Sequence, residues 1–184
     1  YLFSLCLRFC ICWYIIYDER YEEYMNLQKI NNFDISIISD PHVLAYDLIA
    51  DTEDFTKEIK IDRKLLVESE ALLDQALKMV DKVNSQFLFL PGDLVKDGEY
   101  KSHEIVKDYL CDWKNSKEGR QIFMIPGNHD LNNHKSYDFK NHQKTKNINP
   151  KEFYDLYSFI YENPYVLEMY KDSNIFKNYL KEVN

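Results

Sequence analysis

Three short apolar runs, residues 34–38 (DISII), 87–90 (FLFL) and 121–125 (QIFMI), each stop at a proline or glycine beside polar groups. The first ends at Ser39-Asp40-Pro41-His42, the second at Pro91-Gly92-Asp93, the third at Pro126-Gly127-Asn128-His129-Asp130. Runs this short, rich in β-branched and aromatic residues and bounded by turn formers, read as buried strands. Between them the apolar spacing changes to helical. Strands alternating with helices give βαβαβ, hence an α/β fold with a mixed, largely parallel sheet and flanking helices.

From Asp62, read as an N-cap, Leu65, Leu66, Leu72, Leu73, Ala76, Leu77, Val80 and Val83 recur at helical spacing, which predicts one crossover helix. A second helix is predicted over residues 100–113, with Ile105, Val106, Tyr109, Leu110 and Trp113 on its apolar face and His103 on the solvated side. Residues 131–149 are rich in Asn, Lys and His without apolar periodicity, which predicts a long surface loop. Pro150 suits the first turn of a helix whose face carries Phe153, Leu156, Tyr157 and Ile160 and which runs to about residue 162. Residues 165–184 carry mixed signals.

The 184 residues suit one domain, and 45% apolar content supports a core. The net charge of −8 comes with no basic stripe, so nonspecific nucleic-acid binding is not expected, and an anionic substrate would need a local cation. Cys6, Cys10, Cys12 and Cys111 form neither a disulfide framework nor paired zinc spacing. Residues 1–17 are apolar with one charge, Arg8, and are shorter than the roughly 20 residues that span a bilayer. They read either as a signal or anchor segment, which would place the protein outside the cell or at a membrane, or as an artefact, which would leave it cytoplasmic. They are the one candidate for membrane contact. Residues 18–33 read as a polar linker, Met25 within it is a candidate start, and the domain proper covers residues 34–184.

Parallel sheets gather functional side chains at the carboxyl ends of their strands. Asp40 and His42 leave the first strand there, Asp93 the second and Asn128 the third. Carboxylate, imidazole and amide oxygen together suit Mn, Fe or Zn, not a thiolate site. Each cluster alone is an ordinary turn. All three in order, each directly after an apolar strand, point to a site.

Asp40-x-His42, then Gly92-Asp93-Leu94-Val95-Lys96-Asp97-Gly98, then Gly127-Asn128-His129-Asp130 resemble the first three blocks of the calcineurin-like metallophosphoesterases, over about residues 34–131. The resemblance implies the N-terminal half of an α/β/β/α sandwich and a site for two divalent cations. It implies that Asp40 and His42 bind the first metal, Asp93 bridges both and Asn128 binds the second. His129 would stand beside the scissile phosphate, with Asp130 or Asp97 accepting its other N–H. The implied reaction is attack of a metal-activated hydroxide on a phosphomonoester or phosphodiester, with the metals about 3.5–4 Å apart. The implied partner is a phosphate-ester small molecule or a phosphorylated substrate.

The sequence departs from that family in two places. Lys96 stands where some members carry an Asp paired with the active-site His, and Asp97 follows one position later. The later His and the Gly-His-x-His block are not recognisable; His134 and His142 lie in the polar loop. The chain is therefore predicted to hold an incomplete site, to bind metal weakly and to turn over little. The rival reading is a noncatalytic phosphate- or protein-binding module of the same fold; a membrane-tethered binding protein ranks third.

Overall fold

A computed structural model describes residues 34–161; the apolar run at 1–17, the polar segment at 18–33 and the region after 161 lie outside them. Strands β1 (Ile35–Ile37), β2 (Phe87–Leu90) and β3 (Gln121–Met124) form a parallel sheet in the order β1-β2-β3. Ile35 pairs with Phe87 and Ile37 with Phe89, while Leu88 pairs with Ile122 and Leu90 with Met124. Helices separate the strands, as the periodicity predicts: α1 (Glu53–Ile61) and α2 (Ser69–Lys82) before β2, and α3 (Tyr100–Asn115) before β3. The α/β class read from the sequence is the class observed.

Side chains alternate across a strand, so one sheet face carries Leu88, Leu90, Ile122 and Met124. That face shares a core with Leu73, Leu77 and Val80 of α2 and Val106, Leu110 and Trp113 of α3. The opposite face holds Ile35 and Ile37, 42% and 63% exposed, and the stacked rings of Phe89 and Phe123. The expectation of a buried first strand therefore needs correction. The register puts Ser36, not the isoleucines, on the helix-covered face, where its Oγ lies 2.6 Å from Ser85 Oγ.

The crossover also differs from the expectation. Asp62 ends a helix; it does not start one. Thr52 caps α1 by accepting a hydrogen bond from Phe55 N, and Asp62 is the extended residue at the C-terminal end. The segment EDFTKEIKI buries only Phe55, too little to show as an apolar stripe. Helix α2 begins at Ser69, whose Oγ donates to Leu66 O, and Leu66 is buried in the intervening turn. Phe55 and Leu66 join Leu44, Leu48 and Phe139 in a second apolar cluster.

The segment predicted as a surface loop contains a short antiparallel hairpin, β4 (Tyr137–Asp138) and β5 (Gln143–Lys144), and buries Phe139 and Ile148. After it, Asn149 and Glu152 form a reciprocal capping box around Pro150 at the start of α4 (Pro150–Leu156). The single helix expected there is broken at the fully buried Tyr157, with α5 (Ser158–Tyr161) following.

His103 is not a surface residue. It lies on the same stripe as Val106, Leu110 and Trp113, at spacings of three, four and three residues, and is fully buried. Its Nε2 lies 3.0 Å from Asp130 O and its Nδ1 3.0 Å from the Tyr157 hydroxyl. A carbonyl only accepts, so Nε2 carries the proton and Nδ1 accepts from Tyr157. Burial pushes the His103 pKa down to about 4. A histidine lowered in this way contributes stability above its unfolded pKa of 6.5, and that stability is lost as pH falls toward 4. Buried Glu99 and Asp130, raised by burial to about 7 and about 6, act in the opposite sense, losing stability as pH rises. Urea unfolding at stepped pH should therefore show the His103 effect as a difference. Between pH 6.5 and 4 the wild type should lose on the order of 3 kcal/mol more than His103→Gln. Equal pH slopes for the two proteins would remove the assignment.

Candidate metal centre

The strand exits converge because their backbones are hydrogen-bonded beyond the sheet. His42 N donates to Asp93 O, Val43 N to Leu94 O and Lys96 N to Val43 O, which zips the loop after β1 to the loop after β2. The loops after β2 and β3 touch at two glycines. A Cβ on Gly92, which has φ +111°, would lie 2.9 Å from Gly127 Cα, and a Cβ on Gly127 would collide with Asp93. His129 N donates to Asp93 Oδ1 at 3.0 Å, closing the contact between the second and third exits.

Six non-glycine residues among those described have positive φ, and three of them are Asp40, His42 and Asp93. Left-handed conformations are uncommon for such residues and collect at functional sites, where surrounding contacts hold them. For His42 and Asp93 the contacts are the backbone bonds just named. They turn the side chains of His42 and Asp93 toward His129.

His42, Asp93 and His129 offer ligand atoms that all lie within 4.8 Å of one another. His42 Nε2 is 3.9 Å from Asp93 Oδ2, and the His42 and His129 rings meet edge to face with centroids 4.9 Å apart. Burial, then the charges of Lys64 and His129, push the His42 pKa down, so its ring is neutral at pH 7. A metal requires that form. His42 Nδ1 is buried without a partner in hydrogen-bond geometry, although the nearby Val95 backbone favours the protonated ring. Two imidazoles and a carboxylate with an unmet buried nitrogen fit a borderline divalent cation such as Mn, Fe or Zn.

Of the other residues singled out in the sequence, Asp40 is exposed on the first loop, and its carboxylate accepts from Ser39 Oγ without joining the close group. Asn128 is exposed between Gly127 and His129. Asp130 does not face the His129 ring. Its carboxylate accepts from Val95 N at 3.0 Å and Gly127 N at 2.7 Å, bracing the second and third exits against each other. Asp97 stands beside His129 instead: His129 Nδ1 lies 2.5 Å from Lys96 O and 3.2 Å from Asp97 Oδ1. Both are acceptors, which assigns a proton to Nδ1 and leaves Nε2 as the unprotonated nitrogen of the neutral ring. His134 and His142 are exposed, and His142 pairs with Asp54 outside the site.

Sequence reading missed the charged group behind this pair. Lys96, noted only as a departure, is buried with its ammonium against Asp97 Oδ2 and Glu58 Oε1 of α1. Burial works to raise the Asp97 pKa, but the Lys96 ammonium outweighs it and the net shift is downward. Burial works against the Lys96 charge in the same way, and the two carboxylates outweigh it and raise its pKa. The signal for Lys96 was its place directly before Asp97. Glu58 gave none, because its helix was not foreseen.

Among the described residues no helix is long and apolar enough to cross a membrane. A comparison with curated proteins finds no match. The profile of the calcineurin-like phosphoesterases matches residues 33–183, extending well past the three motif blocks. The family suggests a metal-dependent hydrolase of phosphate esters, and the His42/Asp93/His129 group is a metal-ligand set in keeping with it. Matched over most of its length and built on a parallel sheet whose strand exits gather these donors, the chain belongs to the calcineurin-like phosphoesterase family.

Proposed function

We propose that this domain hydrolyses phosphomonoesters or phosphodiesters at a dinuclear metal site formed by the three strand exits. The observation that carries the reading is the convergence of His42, Asp93 and His129, whose donor atoms lie within 4.8 Å of one another, with His42 Nε2 facing Asp93. Asp40 and His42 would hold one ion, Asp93 would lie between two, and Asn128 would hold the second. Bound there, divalent cations supply Lewis acidity toward the phosphate oxygens and toward the attacking water. This also answers how an acidic chain attracts an anion, with Lys64 as a further cation near His42 and Asp97.

His129 supplies the proton chemistry. With Nδ1–H held by Lys96 O and Asp97, the ring has one orientation and keeps Nε2 for the reacting group. In its charged form, steadied by Asp97 at Nδ1–H, it gives the Nε2 proton to the leaving oxygen and is left as the neutral Nδ1–H ring. A second reading has a specific observation behind it: the donors of His42, Asp93 and His129 lie close enough to hold a single ion among them. His129 would then be a ligand, not an acid.

Equilibrium dialysis against Mn²⁺, Zn²⁺ and Fe²⁺, paired with hydrolysis of p-nitrophenyl phosphate and bis(p-nitrophenyl) phosphate, tests the proposal. Weak metal binding is expected, with slow turnover that EDTA removes and the same metal restores. Two ions per chain favour the dinuclear arrangement, and one ion lost in His129→Ala favours the three-donor site. Metal-independent binding of phosphate without hydrolysis would identify the noncatalytic module and overturn the proposal.

A further inference from the structure

A buried ammonium is costly, and replacing a buried ion pair by apolar groups is often neutral or stabilising. Stability alone therefore does not account for Lys96, whose side chain is 3% exposed. Its contacts do. The ammonium lies 2.5 Å from Asp97 Oδ2 and 2.7 Å from Glu58 Oε1, so it is pinned from its own loop and from α1. With Oδ2 occupied, Asp97 has Oδ1 left, and that oxygen meets His129 Nδ1 at 3.2 Å and Asn133 Nδ2 at 3.1 Å. A carboxylate held at both oxygens cannot rotate away from the imidazole. Lys96 contributes a second time through its main chain: its N donates to Val43 O, and its carbonyl lies 2.5 Å from His129 Nδ1. One residue thus sets both acceptors of the same proton.

We propose that Lys96 and Glu58 are positioning residues for His129, a chain of contacts Glu58–Lys96–Asp97–His129 that ties helix α1 to the reacting imidazole. The kinetic part rests on the phosphoesterase reading; the spectroscopic part does not. The ammonium also sits 5.7 Å from the Phe139 ring centroid, so the hairpin segment and α1 enclose it together. Outer partners that orient a functional histidine typically contribute 10–100-fold in activity when removed.

The test uses the whole chain labelled with ¹⁵N-histidine, with the His129 signal assigned through His129→Gln. In the wild type the His129 Nδ1 proton should be observable and slow to exchange with water. Asp97→Asn marks full loss of the carboxylate contact. Lys96→Met should reproduce most of that change, with exchange at least about 10-fold faster, and Glu58→Gln should fall between. Adding Lys96→Met to Asp97→Asn should change nothing further, because both act through the same oxygen. In the presence of excess Mn²⁺, Lys96→Met should lower kcat by about 10–100-fold with KM within about 2-fold. If Lys96→Met does not fold, Glu58→Gln decides, since its side chain is one-third exposed and its loss leaves the Lys96–Asp97 pair in place. Unchanged Nδ1 proton exchange in the folded variants would overturn the proposal. A wild type without hydrolysis would instead count against the phosphoesterase reading and leave the exchange result to stand.

Discussion

Asp93→Asn should reduce divalent-metal affinity and phosphate-ester hydrolysis each by at least about 100-fold, while leaving the unfolding midpoint nearly unchanged. The reasons are local. Asp93 is the only carboxylate in the close donor group, and it sits at a strand exit outside the apolar core. Asparagine keeps an oxygen for His129 N, which donates to Asp93 Oδ1, and so retains the brace to the third strand exit. What it removes is the negative charge between the two imidazoles. Isothermal titration with Mn²⁺ and thermal unfolding on the same protein separate the two effects. Metal affinity within about threefold of wild type would show that the site lies elsewhere.

Gly127→Ala should damage the same site by steric force, without touching its donors. The added methyl would collide with Asp93 Oδ1 and N and come within 2.9 Å of its Cγ, so Asp93 or the loop must move. Overpacking of this kind costs about 1–3 kcal/mol, and displacement of a ligand should weaken metal binding by at least about 10-fold. Gly119→Ala is the control. Gly119 has φ +83° but open space around its Cβ position, so alanine there meets backbone strain of about 1–2 kcal/mol and no collision. Urea unfolding should show comparable losses for the two variants, while metal titration should respond only to Gly127→Ala. A Gly119→Ala protein with equally weakened metal binding would mean that general destabilisation, not crowding at Asp93, is responsible.

The parts of the fold legible in the sequence were those written in strong local patterns. Strand exits punctuated by proline and glycine placed Asp40, His42, Asp93, Asn128 and His129 on one sheet edge, and that is where their loops lie. The start of α4 was legible from Pro150, and the structure adds the capping box that Asn149 and Glu152 form around it. Asp62 misled because an aspartate ahead of leucines looks like an N-cap from either side of a turn, and only tertiary packing of Phe55 reveals the helix before it. His103 misled through its polarity: its spacing already placed it with Val106 and Leu110, and the partners that make its burial tolerable, the acceptor Asp130 O and the donor Tyr157 hydroxyl, come from distant segments. Lys96 was only half readable for the same reason: Asp97 stands next to it, but the other group that neutralises it arrives from Glu58. Periodicity reports which face a residue occupies. It does not report which far partner waits there.

The left-handed backbone at His42 and Asp93 has a kinetic consequence. A ligand loop that must reorganise to receive its ion delays capture by the time that reorganisation takes. Here the unfavourable conformations are imposed during folding, by the bonds His42 N to Asp93 O and Val43 N to Leu94 O, before any ion arrives. Association should then follow a single phase linear in metal concentration, set by encounter and by loss of the ion's water shell. Differences in affinity between metals at this site should accordingly appear as differences in residence time.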